Sequence, residues 1–163
     1  MRVEESIVID RPCEEVFAFL SVRSNDSAWM ASVVASEWLD PVAPLNVGRR
    51  GRMVMKLFGR TVKNVDEVTA FEPGRRIAHR TIEGSLKLDT ACLTEAAGSG
   101  CRTTVVAEAE RLPGGWIGSA ASPLIASLVR RGFRTDLARL KEILETHDAQ
   151  GAATDGAEEG HTR

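Results

Sequence analysis

The sequence has no tyrosine, and its aromatic content is only 5%. A common pocket acid is thereby removed. Its three cysteines, Cys13, Cys92 and Cys101, lack CxxC spacing. Neither a zinc site nor a disulfide framework is suggested, and all three are expected as free thiols. Charge of one sign is missing too: the formal net charge is -2, with 27% charged residues. No overall positive field draws nucleic acid or acidic membranes. No apolar run is long enough to cross a bilayer, and the opening MRVEESIVID has neither the basic start nor the apolar run of a secretory signal. A cytoplasmic protein without membrane insertion and without a nucleic-acid partner is expected. GxGxxG, GxxxxGK and HExxH patterns are absent, so nucleotide-dependent and zinc-protease chemistry have no support, and no cofactor or metal is expected.

What is present fits one domain. A chain of 163 residues buries roughly two-thirds of the surface its unfolded form exposes, without help from metals or cross-links. Residues 3 to 9 alternate as a strand. Asp10-Arg11-Pro12 then precedes CEEVFAFL, where Pro12 suits a first helical position and two glutamates favour the positive helix end. Ser24 to Ser27 can cap a second short helix carrying Ala28, Trp29 and Met30, and SVVASEWLD returns to strand composition.

From Gly51 to Glu110 the chain reads as an antiparallel meander with turns at Phe58-Gly59, Glu72 to Arg75, Gly84-Ser85 and Ala97 to Gly100. Apolar residues then recur at helical spacing from Trp116 to Leu144, including Leu124, Leu128, Leu137 and Leu140. One long helix closes the domain, either kinked at Pro123 or restarted there with Ser122 as its cap. Residues 1–146 form the domain, and residues 147–163, small, polar and acidic, have the composition of a disordered tail.

The turns set a register that can be tested for consistency. They pair Met55 with Val62, Met53 with Asn64, Val68 with His79, Asp66 with Thr81, His79 with Thr90, Thr81 with Leu88, Cys92 with Val105 and Thr90 with Ala107. One face then carries Met53, Met55, Asn64, Asp66, His79, Thr81, Thr90 and many aliphatics, while nearly all charges fall on the other. The first face is therefore the buried one. His79 points inward, opposite Thr90, with Asp66 diagonal to it at roughly 7–8 Å between Cα atoms.

The stretches IVIDRPCEEVFAFL, NDSAWM and FEPGRRIAHRT, followed by the closing helix, resemble the SRPBCC or START-like superfamily, which includes polyketide cyclase/dehydrase proteins and birch-pollen-allergen-like binders. The resemblance covers about residues 3 to 145. It implies an α+β helix-grip fold, a curved antiparallel sheet wrapped around the long C-terminal helix with two short helices after the first strand and an apolar cavity between. Catalytic residues are not shared across that superfamily, so none is carried over.

Two roles for His79 stand side by side. It can be a general acid or base held by Asp66 or Thr90, or a buried histidine whose nitrogens those residues satisfy. The expected ligand wall comprises Trp29, Met30, Met53, Met55, Asn64, Asp66, His79, Thr81 and Thr90 with Leu124 and Leu128 from the final helix; methionines give it an adaptable surface. Trp29 and Trp38 are placed at the cavity entrance, the arginines of the last helix on a solvated face, and Leu112 to Trp116 as a gate or a simple turn. Binding of a small or medium hydrophobic molecule (lipid, polyketide-like or aromatic) by a monomer or homodimer is the leading expectation. A cyclase/dehydratase using His79 and Asp66, and an interaction module with a filled core, are the alternatives.

Overall fold

The computed structural model describes residues 1–109 and 123–155, with side chains up to residue 146. Strand β1 spans Arg2–Ile9 and helix α1 Cys13–Leu20; a 3-10 turn, Arg23–Asn25, leads into the short helix α2, Asp26–Trp29. Then come β2 (Val33–Trp38), β3 (Arg50–Leu57), β4 (Arg60–Glu72), β5 (Arg76–Gly84), β6 (Leu88–Ala97), β7 (Gly100–Ala109) and α3 (Pro123–Asp155). The strands make one antiparallel sheet in the order β1-β7-β6-β5-β4-β3-β2. It curls around α3 as a helix-grip fold.

The turns carry the backbone geometry that tight hairpins require. Phe58 and Gly59 both have positive φ, 50° and 76°, the pair needed for a two-residue turn matching strand twist. The pairings of Met55 with Val62, Met53 with Asn64, Val68 with His79 and Asp66 with Thr81 all occur. So do His79 with Thr90, Cys92 with Val105 and Thr90 with Ala107. Thr81 and Leu88 differ: the β5–β6 ladder ends at Arg80 and Asp89, and the Leu88 amide instead donates to the Thr81 hydroxyl at 3.3 Å. Register shifts within β4–β5 and β2–β3 sharpen the local bend, as bulges do.

The main core joins α1, α2, β1, β7 and α3 through Ile9, Val16, Leu20, Trp29, Val105, Leu137 and Leu140. Several polar contacts fasten α3 to the opening of the chain. Arg134 pairs with Glu5, Lys141 donates to the Val8 carbonyl, and Glu145 accepts from the Asp10 amide. Part of the basic face expected in solvent is thus an attachment to β1. Pro12 takes the cap position of α1, one residue before its expected place. Helix α3 is described from Pro123 onward; the expected kink at Pro123 or cap at Ser122 turns on residues outside the described ones. Its backbone remains helical past residue 146 to Asp155, into the stretch whose composition suggested a tail; Leu112 to Ser122 and residues 156–163 lie outside the described residues.

The cysteine reading is corrected. Cys13 and Cys101 form a disulfide with a Cα–Cα distance of 5.0 Å, leaving Cys92 as the free thiol. The two are 88 residues apart, so no local spacing announces the bond. Pairing of β1 with β7 sets Ile9 opposite Cys101, and the chain turns at Pro12 into α1, which brings Cys13 over the same place. Such bonds persist in oxidising surroundings, so a cytoplasmic location does not follow from this structure.

Candidate functional site

Between the concave sheet face and α3 lies a cavity of about 240 Å³. Met30, Met53, Met55, Leu86, Leu88, Val105 and Ala107 form much of its wall, and Val129, Phe133 and Asp136 face it from α3. Of the residues expected to line it, Trp29, Met30, Met53, Met55, Asn64, Asp66, His79, Thr81 and Thr90 are there, with Trp38. Leu124 and Leu128 are not: they are 74% and 54% exposed. Leu137 and Leu140 set the inward phase of α3, and stepping back from them in helical turns reaches Phe133 and Val129; Leu128 falls one residue off that stripe.

The polar end of the cavity is organised by Arg23, which sequence reasoning did not single out. Its side chain is only 5% exposed. Nη1 and Nη2 donate to the two carboxylate oxygens of Asp66, each at 2.6 Å, and Nε donates to Ser36 Oγ at 2.8 Å. Ser36 in turn donates to Asp26 at 2.7 Å. Asp66 is thus committed to Arg23, which corrects the expected His79–Asp66 pairing. The signal for this was Gly51. It pairs directly with Asp66 across β3–β4, and a Cβ there would stand 2.7 Å from the Arg23 guanidinium carbon. A strand glycine marking another group's close approach is a known use of that residue.

His79 sits beside this network without joining it. Its ring centroid is 6.2 Å from that of Trp38, and Trp38 also carries the guanidinium groups of Arg23 and Arg49 over its indole, at 4.9 and 4.3 Å. Nε2 of His79 is buried with no hydrogen-bond partner, so the expectation that Thr90 and Asp66 satisfy both nitrogens is corrected. Burial, reinforced by the Arg23 charge and only partly opposed by Asp66, pushes its pKa down to about 4. The imidazole is neutral near pH 7. Trp29 Nε1 and Asn64 Oδ1 are likewise buried without partners, although Asn64 Nδ2 donates to the Leu86 carbonyl at 2.8 Å.

Asp26 behaves in the opposite sense. Burial raises its carboxyl to about 6, against the pull of the Ser36 hydrogen bond and the Arg23 charge, and the nearby Asp66 adds to the rise. Cys92, on the same wall, is pushed up to about 12 by burial and then by Asp26, so it is a poor nucleophile. Asp136 accepts the Ala31 amide at 3.0 Å and is also raised by burial. Among the described residues no cluster of metal-binding side chains occurs and no helix is long and apolar enough to cross a membrane.

This arrangement defines the class: a START-like helix-grip protein with a cavity under its last helix. Solved structures share the fold. A START superfamily protein from Mycobacterium smegmatis superposes with a TM-score of 0.72 at 14% identity, covering 89% of this chain and 97% of its own. The Zhui aromatase/cyclase from Streptomyces sp. R1128 gives 0.65 at 17%, covering 89% and 93%. DR_A0006 from Deinococcus radiodurans gives 0.69 at 22%, covering 90% and 99%. No curated protein sequence matches the chain. Residues 1–145 match the model of the family described as polyketide cyclase / dehydrase and lipid transport, and the chain belongs to that family.

Proposed function

We propose that the protein binds a small, largely apolar molecule in the cavity between its sheet and α3, with the ligand's polar group set against His79. The observation that carries this reading is an apolar-walled space of about 240 Å³ with the unpartnered Nε2 of His79 buried at its wall. Well-packed interiors leave few voids larger than a water, and buried polar atoms are nearly always paired. A space of about 240 Å³ is many times what a single water needs, so it has room for a small organic molecule. The same void weighs against an interaction module with a filled core.

Native mass spectrometry, followed by denaturing extraction, tests whether such a molecule copurifies. Titration with a naphthalene-based fluorescent probe gives a second reading, together with Ala107→Phe to fill the space. Saturable binding that Ala107→Phe abolishes supports the proposal; no copurifying molecule and no probe binding would sink it.

Acid–base chemistry of the cyclase/dehydratase kind is a second reading, and one observation favours it. The Asp26 carboxyl, near 6 on the cavity wall, holds or releases a proton close to working pH. His79, held near 4, is a weaker base than an ordinary imidazole. On this reading the parent protein turns over a bound β-hydroxy ketone and Asp26→Asn removes that turnover while leaving affinity; binding without turnover in the parent would argue for binding alone.

A further inference from the structure

We infer that the cavity selects uncharged ligands carrying a hydroxyl or carbonyl group and rejects carboxylates of the same size and shape. The inference rests on the binding reading above and names its ligand class. Among the described residues, three carboxyl groups, Asp26, Asp66 and Asp136, lie on the wall, against one side-chain cation, Arg23. That cation is already spent. Its two Nη atoms meet both Asp66 oxygens and its Nε meets Ser36, with Asp26 3.9 Å away. The wall's other cation, the amino terminus of Met1, donates to the Ala109 carbonyl at 2.8 Å on the β1–β7 edge, three strands from His79 on β5.

An anionic headgroup set against His79 therefore finds, among the described lining residues, no side-chain cation without a carboxylate partner, and it meets a surplus of negative charge. In a buried site that combination is costly, because charges taken from water must be paired. On the residues described as lining the cavity, the groups that lack partners are of another kind: a neutral imidazole nitrogen on His79, an indole N–H on Trp29 and an amide oxygen on Asn64; Arg49, whose Nε also lacks a partner, stacks on Trp38 and is not part of the lining. They are suited to hydroxyl and carbonyl groups, which donate or accept single hydrogen bonds. An ammonium also loses its hydration on entry, and Asp66 is already neutralised by Arg23; an amine probe measures whether Asp26 and Asp136 outweigh that cost.

The test compares 2-naphthol, 2-naphthoate and 2-naphthylmethylamine, which share one apolar frame, by calorimetry on the full chain near neutral pH. Naphthol is expected to bind about tenfold or more tightly than naphthoate, the difference expected from unscreened repulsion in a low-dielectric site. Asp26→Asn should narrow that gap by raising naphthoate affinity. Naphthoate binding as well as naphthol would overturn the selectivity while leaving ligand binding intact, and so would an amine that binds best. Failure of all three probes would instead remove the binding reading on which the selectivity rests.

Discussion

Arg23 and Asp66 are 43 residues apart in sequence and meet through two parallel hydrogen bonds of 2.6 Å under the sheet, with Gly51 leaving the space in which the guanidinium lies. Removing one partner of such a pair strands the other charge in the interior. Arg23→Met is therefore expected to cost about 3–5 kcal/mol in urea unfolding, because Asp66 loses its cation and Asp26 loses a favourable neighbour. Gly51→Ala attacks the same pair by steric means. It should be clearly destabilising in the native background and close to neutral once Arg23 is methionine, a coupling that a double-mutant cycle measures. Additive costs would show that Gly51 does not serve Arg23.

The register around His79 was legible because turn residues and charge separation constrain one another; four hairpins agree on which face is buried. Arg23 was not legible in the same way. It sits in a 3-10 turn, where no period assigns a face, and arginine composition alone reads as surface. The inward parity of Gly51, opposite an inward Asp66, was the available trace. Cys13 and Cys101 were opaque for a different reason: their meeting depends on a β1–β7 pairing that closes almost the whole chain.

Asp26 and His79 have opposite effects on the pH dependence of stability. Asp26 rises from 3.8 to about 6 on folding, so the folded state holds a proton that the unfolded state has released, and stability falls as pH rises through that window. His79 drops from 6.5 to about 4; here the unfolded state holds the extra proton, and stability is lost as pH falls. Between about 4 and 6 the two slopes oppose each other, each worth roughly 3 kcal/mol across its window. Relative to the parent protein, Asp26→Asn should lose stability on acidification and His79→Gln should gain it. Chemical denaturation at intervals across that range checks the signs, and parallel profiles for all three proteins would refute both assignments.

The two faces of α3 separate packing from ligand contact. Phe133 lines the cavity, whereas Leu128 is half in solvent. Phe133→Ala should weaken naphthol binding by about tenfold through lost apolar contact, and Leu128→Ala should change it by less than about twofold, being outside the wall. Equal losses in both variants would place the ligand elsewhere on the helix.

The Cys13–Cys101 bond closes a loop of 88 residues, which encloses most of the sheet. In the chain-entropy account a loop of that length stabilises the fold by about 4–5 kcal/mol, through the freedom it removes from the unfolded chain. Cys13→Ser with Cys101→Ser should therefore lower the urea midpoint substantially while leaving naphthol affinity close to the parent value, since neither sulfur lines the cavity. Thiol counting makes the connectivity itself testable. The unreduced protein unfolded in guanidinium should show one reactive thiol, that of Cys92, and reduction should reveal all three cysteines. In the folded state Cys92 should react slowly near neutral pH, because burial and Asp26 hold its pKa near 12 and keep the thiolate scarce. Three thiols before reduction would mean that the bond is not formed, and its share of the stability would have to come from the packing of α1 against β7.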